Sequence, residues 1–472
     1  MALYQNIIMN KHATLEKITA WAKRRGFIFQ TSTIYGGLAS NYDYGPYGVL
    51  LKNNVRDTWW KKFVLNRDDI VGLDGAILMQ QDVWKASGHT ENFADSMVED
   101  KVSHIRYRAD HLIEAWIKKN NKEYFNPESL TIEEMTKYIR QNKILSPDGN
   151  ELTDVKKFNG MFETHVGATS NEDESIVYLR PETAQAIFVN FKNILDTMRV
   201  RIPFGIGQIG KAFRNEITKG QFIFRTIETE QMEIEYFIHP KTDWEKLMQE
   251  WLSDMKAFYM ELGVPEEDIR FRQHEPAELS HYSKGTYDPE YEFDFGWKEI
   301  AGLAYRTDYD LSQHIKSSKQ KLEYRDPINN EVYVPHVLEP SFGLARAVLV
   351  ALYSAYTEET LENGNTRIVM KFPARVAPIK VAIFPLQKDE KLQSEARDIY
   401  NSLNKYFKCE YDNSGNIGKM YRRQDEIGTP FCITIDYDSI TDKSVTVRDR
   451  DTMKQERVKI SELHSFISSK FE

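Results

Sequence analysis

Cysteine is nearly absent: Cys409 and Cys432 are the only two in 472 residues, and neither belongs to a C-x-x-C pair. Neither a disulfide framework nor a thiolate zinc site is expected. No apolar run approaches the roughly 20 residues of a membrane span, and Met1–Lys11 has no long apolar core of a secretory signal. The expectation is a cytoplasmic protein without a membrane partner. No G-x-G-x-x-G and no P-loop follows a strand-like segment, which excludes the two commonest phosphate-binding turns. An excess of positive charge is missing too. The chain carries 62 Lys and Arg against 71 Asp and Glu, a net −9, and that sign disfavours indiscriminate nucleic-acid binding. From Lys371 to Glu472 the balance is 18 basic to 16 acidic residues, so a basic face, where one exists, is local. What is present is ordinary globular material, 41% hydrophobic and 28% charged, long enough for two or three domains with a sizeable core.

Against that background, Lys211–Glu216 stands out, followed across Lys219-Gly220 by Phe222–Thr226. The pattern predicts two strands joined by a turn. Residues two apart share a strand face, so Arg214 pairs with Glu216 and Phe222 with Phe224. Such a face suits an adenine nucleotide: a guanidinium neutralises phosphate, a carboxylate accepts from the adenine amino group and a phenyl ring stacks on the base. A second segment, Leu338–Arg346, follows the strand-like Val332–Val334 and precedes the apolar run Ala347–Leu352. Strand, turn and helix is the implied order, with Arg346 in the first helical turn, where free N–H groups already favour phosphate.

Phe213-Arg214-Asn215-Glu216 resembles motif 2 of class II aminoacyl-tRNA synthetases, Gly343–Arg346 resembles motif 3, and Tyr44-Gly45-Pro46-Tyr47-Gly48 resembles motif 1. Lys85–His89, Arg108–His111, Arg180–Gln185 and Glu230–Glu233 are similar to words of the dimeric glycyl-tRNA synthetase family, and the likeness runs from about Phe27 to the C-terminus. The resemblance implies an α+β protein. Its class II antiparallel-sheet catalytic domain would span residues 1–371 with a helical insertion at about 112–160, and a small α/β anticodon-binding domain would span 372–472. The residue patterns agree: alternating strand-like runs fill Phe204–Phe237, amphipathic helices are predicted over Leu15–Arg24 and Trp244–Leu262, and two prolines bracket a linker at Phe372–Pro378.

The resemblance further implies glycine, ATP and tRNA(Gly) as substrates, Mg²⁺ on the phosphates, and a homodimer formed through the motif 1 region. In the helix after Pro46, Leu51, Val55, Trp59 and Phe63 form one stripe, which is either core or part of that interface. Carried over by matching words, Arg214 and Arg346 become the catalytic arginines, on the α- and γ-phosphates. Asn215, Glu216, Phe224, Arg225, Glu299, Ile300 and Gly343 complete the ATP site, with Glu299 as the Mg²⁺ ligand. A glycine pocket must hold an ammonium and a carboxylate while denying space beyond Cα. Glu182, Glu230, Gln231, Glu233 and Glu339 are assigned to it, with Ser341, Arg306 and Arg108 towards the carboxyl side. Strand parity ranks Glu233 above Glu230, because Gln231, Glu233 and Glu235 alternate with Met232, Ile234 and Tyr236. Two positions depart from the family word, Ile227 and Thr229 standing in place of an arginine and a phenylalanine. A non-catalytic nucleic-acid-binding accessory protein on the same scaffold is the alternative, disfavoured by the retention of Arg214, Glu216, Glu299 and Arg346.

Overall fold

The computed structural model describes residues 13–167, 175–215, 221–276, 278–280, 282–360, 364 and 366–471. Its centre is an eight-stranded sheet. Strands Ile269–Gln273, Gly285–Phe293, Ala301–Thr307, His336–Gly343, Glu228–Ile238 and Phe204–Phe213 pair antiparallel in that order, and Ile70–Leu73 adds a parallel edge. Gly296–Glu299 pairs on the side with Gly285–Phe293. The α+β reading, with a predominantly antiparallel catalytic sheet, holds.

Helices cover the sheet where the sequence supplies caps and stripes. Thr14 accepts a hydrogen bond from the Lys17 amide and starts the Leu15–Arg24 helix, which buries Ile18, Trp21 and Ala22. Pro46 sits at the start of the Pro46–Trp60 helix, where its missing N–H costs nothing. The stripe Leu51, Val55, Trp59 and Phe63 is buried within this chain. Trp59 and Phe63 stack about Phe342, Trp251 and Phe258, with ring centroids 5.4–6.1 Å apart. Of the two readings of that stripe, core packing is the one realised; burying each such side chain is worth about 1.5–3 kcal/mol.

Two local expectations are corrected. Phe222–Phe224 forms a 3-10 turn, not a strand. Gln221 and Phe222 have φ of 70° and 51°, a left-handed entry that breaks extension, and all three side chains point into the core. Among the described residues Val332–Tyr333 pairs only with Tyr324–Arg325; the strand that delivers Arg346 is His336–Gly343, whose last residue caps the Leu344–Ala355 helix.

The segment read as a helical insertion contributes helices Ala109–Lys119 and Ile132–Gln141. They pack on a three-stranded sheet of Ala94–Glu99, Arg106–Arg108 and Lys156–Asn159, so the packing unit reaches back to Ala94. Val98, Ile113, Ile117, Met135, Ile139 and Val155 form its separate core.

Beyond Pro378, five strands order as Cys409–Tyr411, Val381–Pro385, Phe431–Ile435, Ser444–Asp449 and Gln455–Lys459 around their own core. The connecting segment is no exposed linker. Its Phe372, Val376, Ala377 and Ile379 are buried in the core of the large sheet, together with Ile427 of the Ile417–Ile427 helix. Gly428 ends that helix at φ +82°, and a Cβ there would lie 2.4 Å from the Phe372 ring. Buried Asp425 accepts from Arg367 (2.7 Å) and Arg448 (2.8 and 3.1 Å), tying the two parts together. The Trp21 indole donates to the Glu426 carbonyl at 3.1 Å.

Candidate active site

One edge of the central sheet carries the site, where the Phe204–Phe213 and His336–Gly343 strands end and the antiparallel Glu228–Ile238 and Ala301–Thr307 strands begin. A cavity of about 270 Å³ is lined by Arg214, Phe224, Arg225, Thr226, Thr229, Gln231, Glu299–Gly302 and Ser341–Gly343 with Ala345 and Arg346. Arg346 lies in the first turn of the Leu344–Ala355 helix, as its motif predicts. Its Nε donates to the Phe224 carbonyl at 3.2 Å, and Nη1 to the backbone and carboxylate oxygens of Glu299, both at 3.0 Å. The guanidinium carbon stands 4.6 Å from the centre of the Phe224 ring. Opposite, Arg214 follows the end of the Phe204–Phe213 strand, anchored by Nε to the Pro181 carbonyl at 3.1 Å. Three arginines, Arg214, Arg225 and Arg346, therefore line one cavity, with a half-exposed carboxylate, Glu299, between sheet edge and helix.

Residues towards the sheet interior form a second, acidic constellation. Register sets Gln208, Glu233, Ser341 and Gly302 side by side on four strands. Buried Glu233 accepts from the Ser341 hydroxyl at 2.8 Å and from that of Thr183. One oxygen of each of Glu233, Glu235 and Glu339 lies within 4.8 Å of the others, and all three side chains are buried. Arg306, buried likewise, answers them: it grips Asp310 at 2.8 and 2.9 Å and both oxygens of Glu339 at 2.9 and 3.0 Å. The Tyr282 ring backs the guanidinium at 4.1 Å.

The charges are not equivalent. Burial, with repulsion from Glu182, raises the Glu233 carboxyl above its usual range against the pull of Thr183, Ser341 and Arg306. Burial pushes Glu235 and Glu339 up further, with repulsion from Glu339 and Glu233 on the first and from Glu233 and Glu182 on the second, although Arg306 opposes both. For Glu182 burial also works upward, but His89, Arg306 and Gln185 overcome it and hold this carboxylate well below the usual range. The constellation thus keeps one firmly ionised acid beside several that gain most from an arriving cation.

Of the residues assigned from sequence, Arg214, Phe224, Arg225, Gln231, Glu299, Ile300, Ser341, Gly343 and Arg346 meet at the cavity. Ile300 contributes wall: its side chain is core, and its carbonyl takes the Tyr259 hydroxyl at 3.0 Å. Glu182, Glu233, Glu339, Ser341 and Arg306 belong to the acidic constellation. Asn215 is engaged through its amide, which donates to the Gly160 carbonyl, and Glu216 lies outside the described residues.

Three assignments need correction. Glu230 projects from the other face of its strand, where it pairs with Lys52 at 2.6 Å and Arg56 at 3.8 Å; alternation along an extended backbone enforces this. Arg108 is held by Asp110 and Asp95 at 2.5 and 3.3 Å in the 94–159 unit, and Arg306 is already engaged by Asp310 and Glu339, so neither is an uncommitted receiver for a carboxylate.

Sequence reading missed Thr183, Gln185, Asp310 and the placement of Glu235. Thr183 and Gln185 lie inside the Arg180–Gln185 word, and Asp310 stands in the first turn of the Tyr309–Ser318 helix, just after the strand that carries Arg306, but no local pattern announces their partners. Ile227 serves through its backbone, accepting from the Arg214 amide and donating to Ser40, while Thr229 lines the cavity.

Known proteins align with this arrangement. Residues 162–356 match the family described as tRNA synthetase class II core domain (G, H, P, S and T), and residues 380–470 match the anticodon binding domain. A glycine–tRNA ligase of Acetivibrio thermocellus is 52% identical over 466 residues, covering 98% of this chain and all of that protein. One from Clostridium kluyveri is 53% identical over 461 residues, 97% and 99% of the two chains. The chain belongs to the glycine–tRNA ligase family. Another member, from Caldanaerobacter subterraneus, is 50% identical over 463 residues, 97% of this chain and 98% of its own. Membership in this family leaves the accessory-protein alternative without support, and the matched class II core contains Arg214 and the strands bearing Glu233, Arg306 and Ser341.

Proposed function

We propose that the two constellations are the ATP and glycine sites of this glycine–tRNA ligase, which charges tRNA(Gly) in two steps. The observation that supports the reading is Ser341. It lines the nucleotide cavity and also donates to Glu233 at the acidic end, so an amino acid with its ammonium among Glu182, Glu233 and Glu339 would direct its carboxylate at the α-phosphate near Arg214. In the first step a carboxylate oxygen of glycine attacks the α-phosphorus and pyrophosphate leaves. In the second the terminal ribose hydroxyl of tRNA attacks the mixed anhydride, expelling AMP. No protein nucleophile is required; orientation and charge stabilisation do the catalysis. Arg214 would neutralise the α-phosphate and Arg346 the γ-phosphate, with Phe224 beneath.

Glu299 fits a Mg²⁺ ligand, since its carboxylate is half-exposed at the cavity and hard oxygen donors suit that ion. Nearby Asp288 is raised by burial and by repulsion from Glu299 but is already partnered by His274 at 2.7 Å and Arg272 at 3.2 Å, which leaves Glu299 as the carboxylate open to the ion. The ion would screen the β- and γ-phosphates. Residues 1–371 are assigned to catalysis, 372–472 to anticodon reading, and dimerisation to the motif 1 region.

Glycine-dependent exchange of labelled pyrophosphate into ATP tests the reading. Arg214→Ala should lower exchange by roughly 10²-fold or more, as loss of a donor to a charged transition state does, in a protein that remains folded. Near-normal exchange would remove Arg214 from the reaction.

A further inference from the structure

The Gln81–Ala86 helix and the turn after it are unused by the chemistry above, yet they touch both halves of the site. The Ser87 hydroxyl oxygen lies 2.7 Å from His89 Nδ1 and 3.3 Å from the Trp84 carbonyl, and His89 Nε2 lies 3.4 Å from Glu182 Oε2. The imidazole is wedged between Trp84 and Phe93, with ring centroids at 5.4 and 5.8 Å. The other face of the wedge belongs to the nucleotide: the Arg214 guanidinium stands 5.9 Å from the centre of the Phe93 ring.

We propose that His89 is a positioning residue for glycine, fixing Glu182 through an N–H that Ser87 obliges it to present. The hydroxyl has one proton to give. Donated to Nδ1, it leaves the neutral imidazole with its N–H at Nε2, facing Glu182. Donated to the Trp84 carbonyl, it would make Nδ1 the donor to Ser87 and leave a bare Nε2 lone pair 3.4 Å from a carboxylate, which repulsion disfavours. The first arrangement puts an N–H on Glu182. Gln185 fastens the carboxylate from the other side: its Nε2 donates to Glu182 Oε1 at 3.0 Å and to Asp310 Oδ1 at 2.9 Å, while its carbonyl oxygen lies 2.9 Å from His314 Nε2. With His89 and Gln185 each holding one oxygen, Glu182 keeps a fixed direction for the ammonium, and a short amino acid has few other contacts to orient it.

This inference rests on the glycine-site reading, so its test includes a control for that reading. Pyrophosphate exchange gives KM for glycine and for ATP separately in Glu182→Gln, Ser87→Ala, His89→Leu and His89→Gln, each checked for a native circular dichroism spectrum. His89→Leu should raise the glycine KM at least tenfold while changing the ATP KM less than threefold. His89→Gln, whose amide can still donate to Glu182, should recover part of the loss. His89→Leu combined with Glu182→Gln should be little worse than Glu182→Gln alone. An unchanged glycine KM in His89→Leu, or equal rises in both constants without recovery by Gln, would overturn the proposal and leave His89 a packing residue. Should His89→Leu not fold, a glycine KM in Ser87→Ala and His89→Gln indistinguishable from wild type would do the same. If Glu182→Gln itself binds glycine normally, the pocket reading fails first.

Discussion

Both carboxylate oxygens of Glu235 are buried without a hydrogen-bond partner among the described residues. Burial and the neighbouring Glu339 raise this acid well above its usual range, which ties stability to pH. Once pH climbs past the ordinary glutamate value, the unfolded chain loses the proton while the folded chain keeps it. The folded state then binds more protons, so stability falls as pH rises until the folded acid itself ionises. Glu235→Gln keeps the shape and removes the titration. Its thermal midpoint should exceed wild type at pH 8, match it near pH 4.5, and vary less between them; an identical pH profile would show that Glu235 ionises normally. At this scale the sequence was partly transparent. Alternation placed Gln231, Glu233 and Glu235 on one face and set Glu230 apart, because period two is a property of the backbone. It could not show that Thr183, Ser341 and Arg306 arrive at that face, since those partners come from a loop and from strands 50 to 108 residues distant in sequence.

Among elements, legibility followed how locally each is specified. Leu15–Arg24 and Trp244–Glu261 carry side-chain N-caps and apolar stripes, and both were read within a residue. Phe222–Phe224 shows the same apolar spacing as a strand, but its geometry depends on left-handed Gln221 and Phe222, residues that rarely adopt φ > 0 and give no warning. The turn serves the site: it brings the Phe224 ring under Arg346, with Phe293 and Phe295 packed edge-on at 5.6 and 5.7 Å. Phe224→Leu removes the π face, an interaction of about 0.5–2 kcal/mol. The ATP KM should rise roughly two- to thirtyfold, with the glycine KM within twofold. Equal effects on both substrates in exchange kinetics would mean that the turn had collapsed and that the ring has no separate role.

On the scale of the molecule, the proline-bracketed segment invited an image of two bodies on a tether, and its own composition argued otherwise: Phe372, Val376, Ala377 and Ile379 are core residues. Asp425, held between Arg367 and Arg448, is the polar counterpart of that burial. Asp425→Ala leaves buried Arg448 without its carboxylate and Arg367 with Glu359 alone, and breaking such a network costs about 3–5 kcal/mol. Urea unfolding followed by tryptophan fluorescence should show a lower midpoint; an unchanged midpoint would mean that the two parts unfold independently.

The same junction constrains how the protein is made. Ile18, Trp21 and Phe27 share one core with Phe372 and Ile427, so the first helix finds its final neighbours only after some four hundred further residues have been polymerised. A ribosome delivers chain from the N-terminus and early segments wait for late ones. Until then Trp21 and Phe27 are sticky surface. Nascent chains arrested before the Ile417–Ile427 helix should therefore engage holding chaperones, whereas arrest beyond Gly428 with a spacer clearing the exit tunnel should release them, a difference readable by crosslinking stalled complexes.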